Sequence, residues 1–129
     1  MRIVSEDRRC YVEIGPTDQG YDICDLKAHV DHGHGEFSAR SSAVALLKLA
    51  EFVDTFDAFI ANRELVPRLE GVYDTYLSFR ARGNEVWLEF SVGAADCYGT
   101  HNLTGQFKVE QERLGQYLSE FRKLIIAAY

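Results

Sequence analysis

The sequence predicts an α+β fold: an antiparallel sheet of about five or six strands with two helices packed on one face, in the order βββ-α-βββ-α. Three observations carry this. The longest apolar-periodic stretch, Ala43 to Ala61, has helical spacing, the alternating segments around it come in consecutive runs, and a second helical pattern follows the last of them. Consecutive strands without helices between them favour antiparallel pairing over βαβ units. With 129 residues, two prolines and no low-complexity tract, residues 1–129 are expected to form a single domain.

A short strand at Arg2 to Val4 precedes Arg9 to Ile14, where Cys10, Val12 and Ile14 alternate with Tyr11 and Glu13. Gly15 to Gly20 supplies a turn, and Tyr21 to Val30 continues the alternation as the hairpin partner. Glu36 to Arg40 reads as a third, short strand, after which Ser41 or Ser42 is placed to cap the first helix. In that helix Leu46, Leu49, Ala50, Val53, Phe56 and Ile60 form one stripe, widened by Ala45, Phe52 and Phe59, and Pro67 bars its continuation. Thr75 to Arg80 and Val86 to Val92 flank the Arg82-Gly83-Asn84 turn as a hairpin. Gly93 to Asn102 is expected to be a Gly-punctuated loop, Leu103 to Val109 a third strand. Leu114, Tyr117, Leu118, Phe121, Leu124 and Ile125 then form the second helix, with Glu110 and Glu112 in its first turn and Arg122 and Lys123 in its last.

Fourteen basic against twenty acidic side chains give a net charge of −6, which disfavours nucleic acid, whose phosphates need clustered Lys and Arg, and suits a basic protein partner. Met1 to Ser5 runs directly into charged residues with no apolar stretch and cleavage site, so the expectation is a cytoplasmic protein with no membrane anchor. Cys10, Cys24 and Cys97 are odd in number and fit reduced thiols.

Four groups of residues could carry function. His29, Asp31, His32, His34 and Glu36 gather within eight residues, and His32 and His34 with Glu36 supply imidazole and carboxylate ligands for a metal; the neighbouring Gly33 and Gly35 favour a solvated turn instead. Cys97 and His101, with Asp96, have the residue types of a nucleophile and base but fall within one short loop, whereas working pairs come from separate elements. Glu51, Asp54 and Asp57 form an acidic edge on the first helix, which reads as a solvated face or, functionally, as a patch that meets a cationic protein. If both helices lie on one side, Tyr76 and Trp87 come from neighbouring strands on the opposite sheet face, where large aromatics serve as interface anchors or simply pair across strands to cover the sheet; Tyr11, Tyr21, Tyr73 and Tyr98 add to the aromatic content. No Gly-rich phosphate loop or nucleophile elbow is present, so no catalytic residue and no cofactor are assigned.

Glu36-Phe37, the Phe52-Val53-Asp54-Thr55-Phe56 helix, Gly71, Leu88-Glu89-Phe90, Gly99 and the closing Leu118-Phe121-Leu124 helix together give a layout that resembles the WapI-type immunity proteins. The resemblance covers the last three-quarters of the chain. It implies a small bacterial cytoplasmic protein that binds and neutralises a cognate toxin domain, and it carries no catalytic residues. A small metal-binding protein or enzyme built on the His29–Glu36 cluster, and a homodimer joined through the exposed sheet, are the alternatives.

Overall fold

A computed structural model describes residues 1–17 and 20–126. Among these the strands are β1 (Arg2–Val4), β2 (Tyr11–Thr17), β3 (Gly20–Asp31), β4 (Glu36–Leu47), β5 (Arg68–Gly71), β6 (Tyr76–Arg82), β7 (Glu85–Asp96) and β8 (Gly99–Val109). Helix α1 (Leu49–Ala61) joins β4 to β5, and α2 (Leu114–Ile126) follows β8 after a short helical turn at Gln111–Arg113. All eight strands pair in sequence order as one antiparallel meander. The expected five or six strands are therefore eight, in the order ββββ-α-ββββ-α. Asp18 and Gln19, at the centre of the turn expected at Gly15–Gly20, lie outside the described residues, as does the side chain of Tyr21.

The largest correction falls on Ser41 to Leu47, expected as the cap and first turn of α1 and found as the second half of β4. Leu26 pairs with Ser41 but Cys24 with Val44, so Asp25 alone faces Ser42 and Ala43. This is a β-bulge, with Ala43 in the left-handed region at φ 54° and its N–H donated to the Asp25 carboxylate at 2.8 Å. The extra residue shifts the alternation by one. Ser41, Val44 and Leu46 all turn inward, and the resulting sequence pattern imitates a helix. Leu46 and Leu47 then pair with Gly71 and Glu70, so β4 joins the two halves of the sheet. Helix α1 starts after Lys48, a left-handed residue at φ 56° that makes no side-chain cap. Ala50, placed in the buried stripe from sequence, is exposed.

Two other elements were extended by pairing that propensity does not announce. β5 is a four-residue strand held between β4 and β6. The loop expected at Gly93–Asn102 is the outer part of the β7–β8 hairpin, paired without a register shift out to Asp96 and Gly99. At its base Gly93 passes so close to the Tyr73 carbonyl that a Cβ would overlap it. Tyr73 and Asp74 form the left-handed turn between β5 and β6, at φ 62° and 57°, and the Asn102 side chain donates to the Tyr73 carbonyl at 2.9 Å. Glu112 lies in the turn ahead of α2 rather than in the first turn of that helix.

Both helices pack on one face of the sheet. Phe52 and Phe56 of α1, Phe121 of α2 and Phe79 of β6 interlock edge-to-face, with centroids 4.9 Å apart for Phe52–Phe121 and 4.7 Å for Phe56–Phe79. The sheet curls until its ends meet: Ser5, just past β1, bridges Val109, and the Glu6 N–H donates to the Lys108 carbonyl at 2.8 Å. The buried Tyr117 hydroxyl accepts the Val4 N–H at 3.3 Å, tying α2 to this seam. Among the described residues no helix is long and apolar enough to cross a membrane.

Candidate functional site

On β5–β8 the inward residues are mostly apolar and the outward ones are charged, polar or aromatic, in keeping with strand alternation. Register sets the outward residues in rows. Glu70, Tyr76, Ser91 and Thr104 form one, Arg68, Ser78, Glu89 and Gln106 the next, and Arg80, Trp87 and Lys108 the third. Ser78 and Ser91 are buried although they face outward.

Each aromatic of this face lies under an arginine. The Arg68 guanidinium stands 4.0 Å from the Tyr76 ring centre, and that of Arg82 5.0 Å from the Trp87 ring. The arginines are themselves held: Arg68 Nε donates to Glu70 at 3.0 Å, while Arg82 Nη2 donates to Glu89 at 2.9 Å and to Gln106 at 2.8 Å. Trp87 Nε1 donates to Glu85 at 3.0 Å, fixing the indole. The result is a half-exposed aromatic surface whose rings and cations are positioned before any partner arrives.

The acidic edge is smaller than its sequence suggests. Glu51, Asp54 and Asp57 are all exposed on α1, but Asp57 accepts an ion-pair hydrogen bond from Arg122 of α2 at 2.8 Å. Because both helices occupy the inner side of the sheet, this edge lies on the opposite side of the molecule from Tyr76 and Trp87. The two candidate surfaces are not one interface.

The histidines are not brought together as a ligand set. His29 bonds the Ser38 hydroxyl at 2.8 Å, stacks on Tyr11, and reaches Glu36 only at 3.9 Å. His32 stacks on Phe37, with its ring 6.2 Å from that of His34 at the tip of the β3–β4 hairpin. Among the described residues no three His, Cys, Asp or Glu side chains converge on a point that could hold a metal. Cys97 occupies the tip of the β7–β8 hairpin. Asp96 there accepts the Tyr98 N–H at 2.8 Å instead of orienting His101.

Sequence reading missed the arginines over the aromatics. The alternation Tyr76, Ser78, Arg80, Arg82 already puts the last two on the face of Tyr76, but Arg68 depends on β5, which had no visible signature. It also missed a cleft of about 600 Å³ at the seam, where Cys10, Val30, Trp87 and Phe107 supply apolar walls and Asp7, Asp31, His32 and Lys108 the rim. Beside it the Ser5 hydroxyl and the Arg9 N–H both donate to Asp7, and with the Arg9 charge they hold its carboxyl below the usual range. Neither a family model, a curated protein nor a solved structure matches this chain.

Proposed function

We propose that the chain is a non-catalytic binding protein of the immunity type, which engages a cognate bacterial toxin domain in the cytoplasm through the outer face of β5–β8. The observation that carries this reading is the pair Tyr76 and Trp87, each stacked beneath an arginine held by carboxylate or amide partners. Tyr, Trp and Arg are the residues most often found as interface hot spots, and a pre-positioned set loses little side-chain entropy on binding. Glu51 and Asp54, on the other side, do not form the contact itself and act only through their share of the net negative charge, which attracts a basic partner over long range at low salt.

Asp96 accepts the Tyr98 N–H at the hairpin tip that Cys97 occupies, His29 is engaged with Ser38 and Tyr11, and His32 stacks on Phe37. The test is capture from lysate of the source organism with the purified protein as bait, followed by affinity measurement on the recovered toxin-bearing partner. Tyr76→Ala combined with Trp87→Ala is expected to weaken binding by more than about thirtyfold, the loss of about 2 kcal/mol that defines a hot spot. Unchanged affinity in a folded double variant overturns the assignment of this face.

A further inference from the structure

The free edge of β8 differs from the protected edges of most sheets. Lys108 gives its carbonyl to Glu6, so its backbone polar groups point away from β7. β7 and β8 pair without a bulge, and backbone direction alternates along a strand, so the N–H and C=O of Thr100, Asn102, Thr104 and Gln106 point the same way. Among the described residues these groups have no partner. From Gly99 to Phe107 the strand has no charge, no proline and no bulge, the three devices that keep edges from pairing.

We infer that this edge pairs with the same edge of a second copy of the chain, in antiparallel register about a dyad at Leu103. The unpaired stretch runs from Gly99, next to the hairpin turn, to Phe107, where Glu6 takes over, and Leu103 is its middle residue. Pairing about that centre sets Asn102 opposite Thr104 and Thr100 opposite Gln106, so all the edge-facing groups are satisfied reciprocally. Leu103, half-buried and non-hydrogen-bonded, meets its own copy.

A second match is independent of the first. In this register Tyr98 falls opposite Lys108 of the second copy, which rims the 600 Å³ cleft at the seam. Tyr98 is 92% exposed, the most exposed large hydrophobic side chain among the described residues. Each copy thus offers an uncovered tyrosine where the other offers a cleft walled by Cys10, Val30, Trp87 and Phe107. Electrostatics do not drive this pairing, since two chains of charge −6 repel, but the uncharged edge is where that repulsion opposes it least.

The inference does not rest on toxin binding, and its tests use the purified protein alone. Sedimentation velocity is expected to show a dimer. Thr104→Pro removes an edge-facing N–H while leaving the β7 bonds intact, and is expected to raise the dimer dissociation constant by about tenfold or more. Thr104→Lys, which adds the charge natural edges carry, is the second variant should the proline disturb folding. Tyr98→Ala is expected to weaken the dimer while leaving the melting temperature unchanged at concentrations where both proteins are monomeric. In a Cys97→Ser background, Leu103→Cys should form an intermolecular disulfide under mild oxidation, since non-hydrogen-bonded antiparallel pairs bring Cα atoms to about 4.5 Å. A wild type that stays monomeric to its solubility limit overturns the inference and leaves the edge to a strand of another protein. A dimer equally stable in folded Thr104→Pro and Thr104→Lys overturns it as well, placing the contact elsewhere.

Discussion

Two aromatic clusters sit on opposite faces of the same strands. On the inner face Phe79 of β6 meets Phe56 and Phe121, all fully buried, and on the outer face Tyr76 and Trp87 of β6 and β7 are half-exposed beneath Arg68 and Arg82. Both clusters are rigid, but for different reasons. The inner rings are fixed by close packing, in which each edge fits a neighbour's face; the outer rings are fixed by cations and carboxylates that water still reaches. The inner cluster therefore contributes stability, and the outer one holds a surface in shape for something else.

The comparison breaks most visibly at Phe56. Phe56→Ala is expected to destabilise the fold by about 3–5 kcal/mol, because its ring touches both helices and β6 and its removal leaves a cavity that two helices cannot close, and urea unfolding would measure this. Gly93→Ala tests the frame that carries the outer face. A methyl forced against the Tyr73 carbonyl must shift the β5–β6 turn, and a loss of about 2 kcal/mol or more in the same experiment is expected. Trp87→Ala should lower stability by no more than about 1 kcal/mol while reducing partner affinity; a loss as large as that of Phe56→Ala would erase the distinction between the faces.

A smaller effect follows from charge. Replacing Glu51 and Asp54 with Lys is expected to slow association with a basic partner severalfold at low salt, with the difference shrinking as salt is added, and stopped-flow mixing would show it. The smallest concerns Asp7. Its carboxyl is depressed in the folded state by the Ser5 hydroxyl, the Arg9 amide and the Arg9 charge, so its contribution is present above the unfolded value, near pH 4, and is lost as pH falls through the folded value. Asp7→Asn should be slightly less stable than the parent at neutral pH, and the gap should close in acid; a gap that stays constant would remove Asp7 from the acid limb.

Much of this was legible because strand alternation is a local property. Alternation puts Tyr76 and Trp87 on one face, which is the outer one once both helices pack on the other, and helical period puts Leu49, Phe52, Val53, Phe56 and Phe59 on the buried side of α1. What was not legible depended on partners distant in sequence. The bulge at Ala43 exists because the Asp25 side chain accepts its amide, and nothing near Ala43 announces that. Asp57 reads as part of an acidic edge because its partner Arg122 comes from the other helix, far away in the chain.

By itself, then, the sequence determined which residues face inward along β2, β3, β6, β7 and α2, and along α1 apart from Ala50, since polarity and period are written residue by residue. Only the tertiary structure decided that there are eight strands, that the first and last of them touch at Ser5 and Val109, that arginines cover the outer aromatics, and that Gly99 to Phe107 is left as an open edge. Each of these is a pairing between residues far apart in the chain. The free energy that decides such a pairing arises only once the sheet has brought both members together, so neither member reveals it alone.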